Sequence, residues 1–143
     1  MPIRDFLLRL IGITRTIQTW HAALLTLDAA RRDKLAAYAD EIAATFCRAS
    51  QAFATLDRMP ADHRARRDAI RELGRISGYL DDVVAVLETA LDGRKLAGLR
   101  RRLGSLATPS PQALHRPIRG HPRLEALLDA EGYFRALADG LRA

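Results

Sequence analysis

Leu35, Ile42, Ala49 and Leu56 recur every seven residues, and Tyr38, Phe46 and Phe53 fill the core positions between them. Apolar residues kept at that spacing face one side only if the chain is helical, so the pattern demands a coiled-coil-like seam and excludes a strand. Asp28 is suited to cap such a helix, and the reading sets its bounds at 29–58, about 45 Å if unbroken. Pro60 then stops it, because the residue before a proline is pushed out of helical geometry. Asp62 can cap a third helix over 62–91, which carries Ile70, Leu73, Ile76, Leu80, Val84, Leu87 and Leu91 on one face. Two long amphipathic helices joined by so short a turn are expected to lie antiparallel, giving a long helical hairpin.

The remaining segments are read the same way. Pro2 suits the first position of a helix over 2–27, with Ile3, Phe6, Leu10, Ile13, Ile17, Trp20, Leu24 and Leu27 in one stripe. Leu7, Leu8 and Ile11 lie off that stripe, so the first turns are apolar over most of their circumference. A helix of this kind wants burial on two sides. Phe6, Leu7, Leu8 and Ile11 are therefore the candidate partner interface. Asp92-Gly93 provides a stop, and a fourth helix over 94–106 carries Leu96, Leu99, Leu103 and Leu106. Four of the six prolines fall in 107–122, which reads as an extended loop. A last helix covers 122–141, with a bend or break expected at Glu131-Gly132. The only valines are Val83, Val84 and Val86, and no stretch alternates with period two. The expected architecture is thus all-α: one domain over 1–143, a helical bundle of about five helices built on the hairpin.

The N-terminal segment has acid and arginine inside its apolar run, unlike a signal peptide, and no apolar run reaches the roughly 20 residues a membrane span needs. A single cysteine, Cys47, forbids an internal disulfide, and the reading is a soluble, cytoplasmic protein with no membrane role.

Charge is the most informative feature for function. The chain carries +6, yet the window 93–124 alone carries +8, from Arg94, Lys95, Arg100, Arg101, Arg102, Arg116, Arg119 and Arg123, with no acid among them. Arginine's planar fork suits phosphate and carboxylate, so this window is the candidate nucleic-acid-binding surface. It has no aromatic residue for base stacking, which favours sequence-independent contact with the backbone of RNA or a ribonucleoprotein. An acidic protein surface, or a face that is merely solvated, fits the same residues, and GC-rich coding also inflates arginine and alanine.

A second basic group, Arg64, Arg66, Arg67, Arg71 and Arg75, is interleaved with Asp62, Asp68 and Glu72, and reads as i,i+4 pairing on an exposed face. His21, His63, His115 and His121 lack metal-ligand spacing with one another or with Cys47. His21 is expected to pack, partly buried, beside the first helix's stripe. Gly74 and Gly78 suggest close approach of another helix or local flexibility. With no plausible acid, base or nucleophile set, no metal and no cofactor is expected, and the chain reads as a non-enzymatic subunit or adaptor. The alternative is a protein–protein interaction module or homo-oligomer, in which the apolar start of the first helix meets another chain.

Overall fold

The computed structural model describes residues 3–88, 91, 93–106 and 121–143, and every regular element among them is an α-helix. In chain order these are α1 (Ile3–Thr19), α2 (His21–Leu24), α3 (Ala29–Arg58), α4 (His63–Leu87), α5 (Gly93–Gly104) and α6 (His121–Arg142). The all-α reading holds, with six helices among the described residues in place of about five.

The extra element comes from a break at Trp20, where one helix over 2–27 was expected. Three threonines precede it. Thr14 donates to the Leu10 carbonyl at 3.1 Å, Thr16 to that of Gly12 at 3.0 Å and Thr19 to that of Thr16 at 2.6 Å. Such back-bonding competes with the helical ladder. The Trp20 amide bonds the Ile17 carbonyl, three residues back, which tightens the final turn, and Trp20 itself sits at φ −96°, ψ 8°. The apolar stripe nevertheless continues across the break, because Phe6, Leu10, Ile13, Ile17, Trp20 and Leu24 are all buried.

α3 begins and ends where the sequence places it. Asp28 occupies the N-cap position but makes no side-chain cap; its carboxylate faces Arg31 at 3.5 Å instead. Asp62 does cap α4, accepting from the Ala65 amide at 3.0 Å. α6 runs unbroken through Glu131-Gly132, where a bend or break was expected. Glu131 pairs with Arg135 at 3.2 Å across the glycine, an i,i+4 link that helps hold the helix straight through its weakest residue.

The core forms around α3, whose most extensive contacts are with α6 and α4. Leu35, Ile42, Phe46, Ala49, Phe53 and Leu56 are buried, and so are Ala36, Ala39 and Ala43 on the adjoining face. The Phe46 ring stacks on that of Phe134, with centroids 6.0 Å apart and planes 18° apart. α1 packs on α5 and α6, and α5 also on α4. Among the described residues, no helix is long and apolar enough to cross a membrane.

The Tyr133 hydroxyl is buried and has no hydrogen-bond partner among the described residues, and burial pushes its ionisation up to about 12. Replacing an unsatisfied hydroxyl by hydrogen while keeping the ring removes a desolvation penalty, so Tyr133→Phe is expected to stabilise the fold by about 1 kcal/mol at neutral pH. A phenol ordinarily ionises near 10. As pH rises from there to about 12, the unfolded chain gives up a proton that the folded chain keeps, so the wild type loses stability across this window. The phenylalanine variant should lack that loss. Urea melts at neutral and alkaline pH measure both effects, and a destabilised variant at neutral pH would refute the first.

Candidate functional site

α5 is amphipathic in its simplest form. Leu96, Leu99 and Leu103 are buried, and Arg94, Lys95, Arg100, Arg101 and Arg102 are exposed. The cations are not equivalent. Arg100 pairs with Glu88, just past the end of α4, and this carboxylate lies before the acid-free window read from the sequence. Arg102 donates from Nη1 to the Thr16 hydroxyl at 2.8 Å, which ties α5 to α1. Arg101 and Arg102 also fall in the last turn of α5, where positive charge is favoured by the helix dipole. Arg116 and Arg119 lie outside the described residues; Arg123 belongs to the first turn of α6, and its side chain also lies outside them.

One cation was missed. Arg9 of α1, together with Gly12, Arg102 and Ser105, lines a cleft of about 280 Å³ where α1 meets α5. Nothing in the linear sequence joins Arg9 to Arg102; the contact exists only because α5 packs back onto α1.

The candidate interface on α1 divides. Phe6 is fully buried and belongs to this chain's own core, Ile11 packs partly buried against that core, and Leu8 is 60% exposed. The side chain of Leu7 lies outside the described residues.

The basic start of α4 departs from the expected pairing. Arg71 meets Asp68 and Arg75 meets Glu72, both at 3.7 Å and at i,i+3 rather than i,i+4 spacing. Arg66 is not on the exposed face. It is buried, donating to the Pro60 carbonyl at 2.9 Å and facing His63 Nδ1 at 3.4 Å, so it serves the turn between α3 and α4. Buried Glu72 also receives Arg48 Nε at 3.0 Å, and Arg48 Nη2 donates to Thr45 at 3.1 Å. A groove of about 420 Å³ beside this pair is lined by Arg48, Gln51, Thr55, Asp62, Arg64 and Asp68 among others. Arg48 is held there by Glu72, and Asp62 and Asp68 bring further negative charge to the walls, so an anion would meet carboxylates already in place.

Two other readings change. His21 is exposed, because the break at Trp20 turns it away from the stripe it was expected to flank. Gly78 is exposed, and a Cβ added there meets nothing within 4 Å, so it marks no close helix approach. Cys47 is held above its ordinary ionisation, first by burial and then by the Glu131 carboxylate, which leaves it a poor thiolate. Among the described residues no three His, Cys, Asp or Glu side chains gather as a metal site.

Comparison of the chain with family models, curated proteins and solved structures found no match. Any functional reading therefore rests on its own residues.

Proposed function

We propose that this protein is a small, non-enzymatic basic helical subunit or adaptor that contacts the phosphate backbone of nucleic acid, RNA or a ribonucleoprotein, through α5. The observation that carries the proposal is the division of α5 itself: three leucines are turned into the core and five cations outward. Glu88 holds one of those cations. Arg9 extends the surface onto α1.

In this reading α3 and α4 form an antiparallel hairpin that acts as scaffold. Its support is the register of two contacts, Arg48 with Glu72 and Glu41 with Tyr79: seven residues back along α3 is seven forward along α4. The single cysteine supports a reducing, cytoplasmic setting. The test is binding of single- and double-stranded RNA and DNA at low salt, by wild type and by a variant with Arg100, Arg101 and Arg102 changed to glutamate. Binding lost in the variant is the expected result; a wild type that binds none of the four sinks the proposal.

A second reading, docking or self-association through α1, is favoured by Leu8, which is 60% exposed beside a stretch that is apolar over most of its circumference. It predicts a mass above one chain by light scattering, lowered by Leu8→Glu. A monomer at every concentration would remove self-association.

A further inference from the structure

We infer that the cleft between α1 and α5 is a phosphoryl-binding subsite, in which Arg9 and Arg102 grip one phosphate group over the floor provided by Gly12. The inference rests on the nucleic-acid reading above and names the point on that surface where a single phosphate is seated.

The first observation is the glycine. Gly12 sits inside α1, where glycine weakens a helix relative to alanine. Such a residue is usually tolerated because another backbone approaches closely. Here a Cβ would meet nothing within 4 Å, so the packing of α5 on α1 does not require its absence. A Cβ would stand in open space there, as at Gly78 and other glycines of the helices, so Gly12 lines the floor of the cleft without being required for it.

The second is the arrangement of donors. Residues 9, 12 and 16 are three and four apart and share one face of α1. Thr16 donates to the Gly12 carbonyl at 3.0 Å and accepts from Arg102 Nη1 at 2.8 Å, which fixes the Arg102 guanidinium at the cleft wall. A guanidinium has five N–H donors. Arg102 uses one of them on a side chain among the described residues, and Arg9 uses none; neither pairs with a described carboxylate. Two arginines on one small cleft repel each other, and a doubly accepting anion between them relieves that repulsion. Tetrahedral phosphate can meet both forks at once.

The third removes an objection. The cleft lies at the C-terminal end of α5, where bare carbonyls would repel an anion. Three of the last four are covered: the Ser105 amide bonds the carbonyl of Arg101, the Leu106 amide that of Leu103, and the Ser105 hydroxyl that of Arg102.

A phosphate group could come from a nucleic-acid backbone or from a free phosphate, and two probes separate them. The full chain is titrated with pyrophosphate while the backbone amides of Gly12 and Ser105 are followed by NMR. In parallel, affinity for a short single-stranded RNA is measured against salt. Gly12→Glu places a carboxylate in the open space of the cleft, and Gly12→Ala controls for the change of helix propensity. Pyrophosphate should move both amides in the wild type and in Gly12→Ala but not in Gly12→Glu. Gly12→Glu should also reduce the salt slope of RNA binding by about 0.7, the loss of one phosphate contact on a single strand. Arg9→Gln, an exposed change that spares the core, should weaken both interactions if Gly12→Glu does not fold. Unmoved amides in the wild type, or RNA binding by Gly12→Glu equal to that of the wild type, overturn the subsite. Amides that move with pyrophosphate in a protein that binds no RNA overturn the nucleic-acid reading and leave a site for free phosphate.

Discussion

Phe46→Ala is expected to lower the unfolding free energy by about 3–5 kcal/mol, the range for removing a fully buried aromatic ring. Phe46 has no solvent exposure, and its ring stacks on Phe134, itself 1% exposed, so the change empties space between α3 and α6. The loss has two parts, the transfer free energy of the ring and the cavity that rigid neighbours cannot close. Domains of this size are stable by only about 5–15 kcal/mol, so one substitution removes at least about a fifth of the reserve and, in a marginal domain, all of it. The pair can be examined by a double-mutant cycle. Phe134→Ala alone should cost a similar amount, and the double variant less than the sum, because either single change already destroys the stack. Denaturant melts measure all three. A loss below about 1 kcal/mol for Phe46→Ala would mean that α6 does not pack on α3 as described.

That pairing also marks how much of the fold could be read in advance. The α3 seam was legible because Leu35, Ile42, Phe46, Phe53 and Leu56 are large, apolar and regularly spaced, and all are buried. Its second buried face was not. Ala36, Ala39 and Ala43 lie there with Ser50, and in a sequence alanine reads equally well as a helix former on an exposed surface. The consequence was that α3 looked like half of a hairpin, whereas it is packed extensively by α6 as well as by α4. The break at Trp20 was hidden for another reason. Hydrophobic periodicity runs straight through it, and only the local bonding of three threonine hydroxyls gives it away.

The candidate site was legible as composition but not as geometry. An acid-free window identifies the cations of α5, and their outward placement follows from the three leucines that must point inward. Sequence distance conceals the rest. Glu88 precedes the window yet neutralises Arg100, and Arg9, far from α5 in the chain, shares a cleft with Arg102. The opposite error occurred at Arg66, which sits among exposed arginines in the sequence but turns inward to the Pro60 carbonyl. Charge counting finds the patch; only packing says which charges remain to be used.

The largest expected effect on binding follows from that distinction. If α5 and Arg9 together neutralise about three to five phosphates of a single strand, log affinity should fall against log salt with a slope of roughly −2 to −3.5. Raising salt from about 50 to 200 mM then weakens binding roughly 16- to 130-fold. Changing Arg100, Arg101 and Arg102 to glutamate takes the chain from +6 to a formal charge of zero and should abolish binding at either salt concentration. These side chains are exposed and leave Leu96, Leu99 and Leu103 untouched, so the helix should remain seated. The cost falls on the last turn of α5, where exchanging cations for anions against the dipole is worth about 0.3–1 kcal/mol per charge. A thermal melt of the variant separates this cost from lost binding. Arg101→Gln is the sharper probe, since Arg101 carries neither the Glu88 pair nor the Thr16 bond that hold its neighbours. It should lower the slope by about 0.7, with a fall in melting temperature of no more than a few degrees from the lost dipole interaction. Binding insensitive to salt, or unaltered by the triple change, would mean that the cations of α5 serve only to keep that face in water.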